Sequence, residues 1–290
     1  MIKAIPPAFF FILGAMLIPF LKGKVKQLYR ACTPQIEFLD ILYLTPGTSW
    51  VHNFLGYDLI FCQVDRLSLV VGYIFIIIGF LAILYSLHVK QDGQHIAAFL
   101  YVGSSLGVVF AGDLFSLFAF WEIMAVTSVF LIWFQKDKES LNAGFRYILV
   151  HIFGGCSLLA GIIIYTVSKG SISVVQMQPG FAYWLVLVGF GLNTAFIPIH
   201  TWLPDAYPEG TITGSVFLSV FTTKTGVYAL ARCFAGTDFI AYMGGIMAVY
   251  GVIFALLQND ARRLLAYHIV SQVRYMVACI GIGTALSVNG

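Results

Sequence analysis

The 290-residue chain is 60% apolar and 10% charged, with a formal net charge of +3, and its mean hydropathy is +0.90. A soluble domain carries about 25% charged residues, so this composition excludes an ordinary water-soluble fold, and the small, dispersed charge excludes a nucleic-acid partner. A polytopic membrane protein remains, read as a single membrane-embedded domain over residues 1–290.

Segments of ~20 mostly apolar residues are long enough to cross the bilayer's hydrocarbon. Ten occur, at about 4–21, 27–44, 64–88, 95–111, 113–134, 142–167, 181–203, 210–234, 239–258 and 263–286, which predicts an all-α transmembrane helix bundle. Lys3 precedes the first, and no small-residue cleavage site separates it from the basic run Lys22, Lys24, Lys26, so it is read as a retained span. The second carries Glu37 and Asp40 and is the weakest. Between spans two and three, Pro46 to Gln63 holds Gly47, Gly56 and the β-prone Leu59-Ile60-Phe61, which predicts a short hairpin at the membrane surface. Spans four and five are separated only by Ala111-Gly112-Asp113, a tight re-entry. Basic residues concentrate in the odd-numbered loops, at Lys22, Lys24, Lys26, Arg30, Lys90, Lys136, Lys138, Arg262 and Arg263, so the N-terminus is expected outside. Cys32, Cys62, Cys156, Cys233 and Cys279 show no C-x-x-C pairing and mostly sit in apolar stretches, as packing residues do. No Gly-rich strand-to-helix loop provides a nucleotide site.

Two charges stand where hydrocarbon is expected. Glu122 lies within the fifth segment and Lys224 within the eighth; a lone charge near the bilayer centre costs about 3 kcal/mol, which makes each a functional candidate. Tyr228 follows Lys224 by one turn and shares its face. Pro198, Pro204 and Pro208 interrupt the stretch before the eighth span, so regular helix cannot run through it. His200 and Asp205, five apart there, either belong to a helix-to-helix turn or pass protons between surface and interior. His268, Ser271, Gln272 and Tyr275 form one stripe of the tenth helix, suited equally to a hydrated path and to interhelical adhesion. His151 is read as a core histidine, and Arg146, Arg232, Arg262 and Arg263 as anchors near span ends.

Phe120-Trp121-Glu122, Pro198 to Ala206, Thr223 to Tyr228 with Arg232, and Asp260 to Tyr267 with Ser271-Gln272 resemble the antiporter-like subunits of respiratory complex I, membrane-bound hydrogenases and Mrp-type cation/proton antiporters. Ala206-Tyr207-Pro208-Glu209 and Phe221 to Thr225 resemble the D-type branch of the Mrp antiporters most. The resemblance implies that Glu122 and Lys224 translocate protons, with His200, Asp205, Asn193, Tyr228 and His268 as relay candidates. Asn193 stands where the family has a lysine in its seventh span, and Arg274 where it has glycine. It further implies peripheral spans over 1–94, a five-helix repeat over 95–234 (spans 4–8) and the start of a second over 239–290. The family's bundle has about fourteen helices in two inverted repeats, so the chain, ending at Asn289-Gly290, is expected to be an N-terminal portion, with a separate chain as one source of the rest. The implied function is proton translocation or monovalent cation:proton antiport within a multisubunit complex of a prokaryotic inner membrane. Other membrane subunits are the expected partners, protons and optionally Na+ the cargo, with no cofactor and no independent catalysis. The alternatives are a proton-pumping subunit of a NADH:quinone oxidoreductase or membrane-bound hydrogenase, and a truncated, non-conducting scaffold.

Overall fold

The computed structural model describes residues 5–47, 49–54 and 56–284. Lys3, the outermost edges of the first and last predicted spans, and Asn289-Gly290 lie outside the described residues. The described chain is a bundle of α-helices with one hairpin: α1 (Pro7–Leu17, continued by the 3-10 turn Ile18–Phe20), α2 (Gly23–Tyr43), β1 (Ser49–Phe54), β2 (Tyr57–Gln63), α3 (Arg66–Ser86), α4 (Asp92–Phe110), α5 (Leu114–Trp133), α6 (Lys138–Lys169), α7 (Phe181–Asn193), α8 (Trp202–Ala206), α9 (Ile212–Cys233), α10 (Asp238–Leu256) and α11 (Ala261–Ile282). Among the described residues, α3, α4, α5, α6, α10 and α11 are long and apolar enough to cross a membrane on length and composition alone. Helix α9 is as long but carries Lys224 and a series of serines and threonines.

Successive helices alternate in direction, which gathers the loops on two faces. On one face the antiparallel β1–β2 hairpin closes at Phe54 opposite Tyr57, with Gly56 in the left-handed region at φ 84. The α4–α5 re-entry packs beneath it. Gly112 N–H donates to Ile60 O at 2.9 Å, and Asp113 accepts from Ile60 N–H at 2.6 Å and caps α5 through Ser116 N–H at 2.8 Å. A Cβ on Gly112 would fall 2.5 Å from the Ile60 side chain, so no larger residue fits that turn. On the opposite face Asp92 takes Lys26 and Arg30 at 2.6 Å each, and Arg262 donates to Gly210 O at 2.7 Å. There Asp137 caps α6 through Ser140 N–H, which holds its carboxyl below the usual carboxylate range.

Helix α4 is the most enclosed span because small residues let its neighbours close in: a Cβ on Gly103 would meet α1 at 2.9 Å, and one on Gly107 would meet Phe120 of α5 at 2.3 Å. Without a hydrophobic force between helices in lipid, such close approach is what holds them together. Helix α9 packs against α3, α4, α5, α7 and α11, so the eighth predicted span occupies the centre of the bundle.

The seventh predicted span, 181–203, is not one helix. Helix α7 stops at Asn193, before the first proline. Its end is a Schellman arrangement: Phe196 N–H returns to Gly191 O at 2.8 Å and Ala195 N–H to Leu192 O at 3.0 Å, with Ala195 in the left-handed region at φ 62. Trp202 Nε1 also donates to Leu192 O at 3.0 Å. The freed carbonyls are therefore satisfied by protein, the condition under which a helix can break at membrane depth.

Candidate functional site

Glu122 sits half-way along α5 and leans on α6, where Gly155 makes the room: a Cβ there would lie 2.1 Å from Glu122 Oε1. That oxygen is buried without a hydrogen-bond partner among the described residues. Lys224 is half-buried at the middle of α9. Its ammonium donates to the Ser219 carbonyl, 2.7 Å away on its own helix. It lines a groove of about 320 Å³ between α3, α9 and α11, in company with Tyr228 and Tyr275. Tyr228 shares that face, as the one-turn spacing requires, but its hydroxyl donates to Val109 O of α4 at 2.6 Å rather than to Lys224.

Asn193 closes α7, 1% exposed, with its amide Nδ2 unpartnered. Gly226 of α9 packs against its carbonyl carbon and against Thr194. Gly226 lies two residues from Lys224, about 200° around the helix, so Asn193 and the Lys224 groove face different sides of α9. No hydrogen bond or ion pair joins Glu122, Asn193 and Lys224 among the described residues.

His200 and Asp205 are likewise not joined. His200 is buried with its ring edge-on to Tyr250 of α10, centroids 4.6 Å apart, and neither ring nitrogen makes a well-aligned hydrogen bond. Asp205 is gripped at both oxygens by Arg146 of α6, at 2.7 and 2.8 Å. His268 is exposed on α11 and contacts Gln272 at 3.2 Å. Of its stripe, Ser271 is buried while Gln272 and Tyr275 are exposed. His151 stacks on Tyr147 at 4.0 Å and meets Trp202 edge-on at 4.7 Å, inside the core.

The remaining charges near the bundle are mostly taken up structurally. Arg232 pairs with Asp65 at the start of α3. Arg274 donates to the Ala248 carbonyl and to Ser271 Oγ, both at 2.8 Å, and to Tyr275 Oη at 2.6 Å. The exceptions on α2 are Glu37, 0% exposed with both oxygens unpartnered, and Asp40, whose Oδ2 is unpartnered. In the sequence these two only weaken a span. Their i, i+3 spacing in an otherwise apolar run is the signal that they turn inward together.

The family described as "NADH:quinone oxidoreductase/Mrp antiporter, TM" matches residues 111–290. Over 94% of this chain, the A1 subunit of a Na(+)/H(+) antiporter from Staphylococcus aureus is 28% identical, and the chain spans 38% of that relative's length. That relative is of the A type, where the motifs suggest the D branch of the same family. A chain of the Mrp complex from Dietzia sp. DQ12-45-1b superposes with a TM-score of 0.88 at 26% identity, covering 97% of this chain and 34% of its own. A chain of the membrane-bound sulfane sulfur reductase, an archaeal respiratory membrane complex, superposes at 0.84 with 25% identity, covering 98% and 52%. With more than half of its length matched and its bundle shared with both complexes, the chain belongs to the NADH:quinone oxidoreductase/Mrp antiporter transmembrane family.

Proposed function

We propose that this chain is the proton-translocating part of an antiporter-like membrane protein, working with other membrane subunits in a prokaryotic cell membrane as a monovalent cation:proton exchanger. The observation that carries the reading is the state of Glu122 and Lys224. Arg232, Arg146, Asp92 and Asp205 are consumed by ion pairs, whereas Glu122 and Lys224 have no ionic partner among the described residues. Uncompensated charges within membrane helices are costly and are retained where a proton or ion must pass. Glu122 and Lys224 are the carriers, and His200, Asn193, Tyr228 and His268 are relay candidates; Asp205 joins them only by exchanging its Arg146 partner. Likeness to an archaeal respiratory complex supports a second reading, a proton pump powered by an attached redox module.

The test is proton flux in vesicles carrying the assembly purified from its native membrane. Lys224→Ala and Glu122→Gln are each expected to lower flux at least tenfold, about 1.4 kcal/mol of barrier. Flux that survives both, or is absent from the unaltered assembly, supports the scaffold reading instead. The proteins recovered in the same preparation decide between exchanger and redox-driven pump.

A further inference from the structure

We infer that Asp65 and Arg232 form a latch at the hairpin-side end of the Lys224 groove and act as positioning residues, controlling whether water reaches Lys224 from that face. The inference rests on Lys224 being a proton carrier and adds the access route.

The groove runs along α9 from Lys224 past Tyr228 to Ala231, and along α3 to Leu67. Arg232 follows Ala231, and Asp65 lies two residues before Leu67, so the pair stands at the groove's end. Asp65 does two jobs. Its Oδ1 accepts from Ser68 N–H at 2.7 Å, while Ser68 Oγ accepts from Asp65 N–H at 2.8 Å, a capping box that fixes the start of α3. Its Oδ2 accepts from Arg232 Nη1. The Arg232 guanidinium lies 5.4 Å from the centre of the Tyr228 ring, and the tyrosine is tied at its far end to Val109 O. Tyr228 is thus held from two directions between the ion pair and Lys224. The column Lys224, Tyr228, Arg232 repeats every four residues on one face of α9 and spans about 12 Å at ~1.5 Å per residue. Arg232 Nε is buried without a partner among the described residues, so the guanidinium depends on Asp65 and the ring for its fixed position. Losing the Asp65 charge frees Arg232 to swing out, which opens the groove's end and leaves Tyr228 held by the Val109 carbonyl alone.

Asp65→Asn separates the two jobs, because the asparagine oxygen still caps Ser68 while the carboxylate that binds Arg232 is gone. In the full chain with its five native cysteines replaced and Lys224→Cys introduced, sealed vesicles of both orientations are treated with a membrane-impermeant methanethiosulfonate. Adding Asp65→Asn is expected to raise the Lys224→Cys labelling rate about tenfold from the hairpin face, with no change from the opposite face. Adding Arg232→Gln instead, which removes the other half of the ion pair, is expected to raise the rate from the hairpin face to a similar extent. An unchanged rate, or an equal rise from both faces, overturns the latch. The readout needs no transport, so loss of the proton-carrier reading, seen as flux indifferent to Lys224→Ala, is scored separately.

Discussion

Arg274 stands where the sequence leaves a guanidinium in an apolar helix, and an acid or water is the expected remedy. Among the described residues the guanidinium is instead held by a helix carbonyl, a serine and a tyrosine, a strong set because bonds to an ionised donor are roughly twice as strong as neutral ones. Arg274→Ala is accordingly expected to destabilise the chain by about 2 kcal/mol, whereas Arg274→Met, which refills the volume without a charge, is expected to be close to neutral. Thermal midpoints in detergent read both, and equal loss in the two variants counts against the argument. Asn193 presents the opposite case, a neutral amide at the position of a family lysine. If the missing cation limits conduction, Asn193→Lys changes proton flux in vesicles about tenfold; an unchanged rate would falsify that idea.

At the scale of elements, helix seams and helix breaks follow from small residues and caps. The α10–α11 hairpin closes on glycine: a Cβ at Gly281 would sit 2.1 Å from Ala241 N, and one at Gly244 2.7 Å from Ala278 N, while Gly245 on the other side of α10 has nothing within 4 Å. Gly281→Ala is therefore expected to cost about 2 kcal/mol, and Gly245→Ala to be neutral or stabilising by up to about 1 kcal/mol, both read as shifts in the thermal midpoint. Similar shifts from both would show that the seam is not tight. The break after α7 makes a third case. Ala195 occupies a left-handed position that costs an L-residue roughly 1–2 kcal/mol, so Ala195→Gly is expected to raise the midpoint and Ala195→Val to lower it.

Across the whole molecule the loops knit into two faces of different charge. Lys26, Arg30, Asp92, Arg262 and Gly210 meet on one; the hairpin, the α4–α5 re-entry and the end of α9 meet on the other. With lysine and arginine concentrated on the first face, it is the one proposed to lie in the cytoplasm. A single cysteine at Ser171 is then expected to react with an impermeant reagent in intact cells, and one at Lys136 only in inverted vesicles; the reverse pattern inverts the proposed orientation. The sequence by itself determined the membrane class, the helical character of the bundle, the hairpin, the three-residue re-entry and the shared face of Lys224 and Tyr228, because these depend on local hydropathy and periodicity; of its ten predicted spans, six match helices long and apolar enough to cross a membrane among the described residues. It also isolated Glu122 and Lys224, since a charge within an apolar run is conspicuous whatever surrounds it. The tertiary structure decided which charges have partners. Asp65 and Arg232, or Arg146 and Asp205, are separated by so much chain that only packing brings them together. It also placed the end of α7 at Asn193, ahead of the prolines, because the carbonyl that Trp202 satisfies is reached only once the chain has folded back.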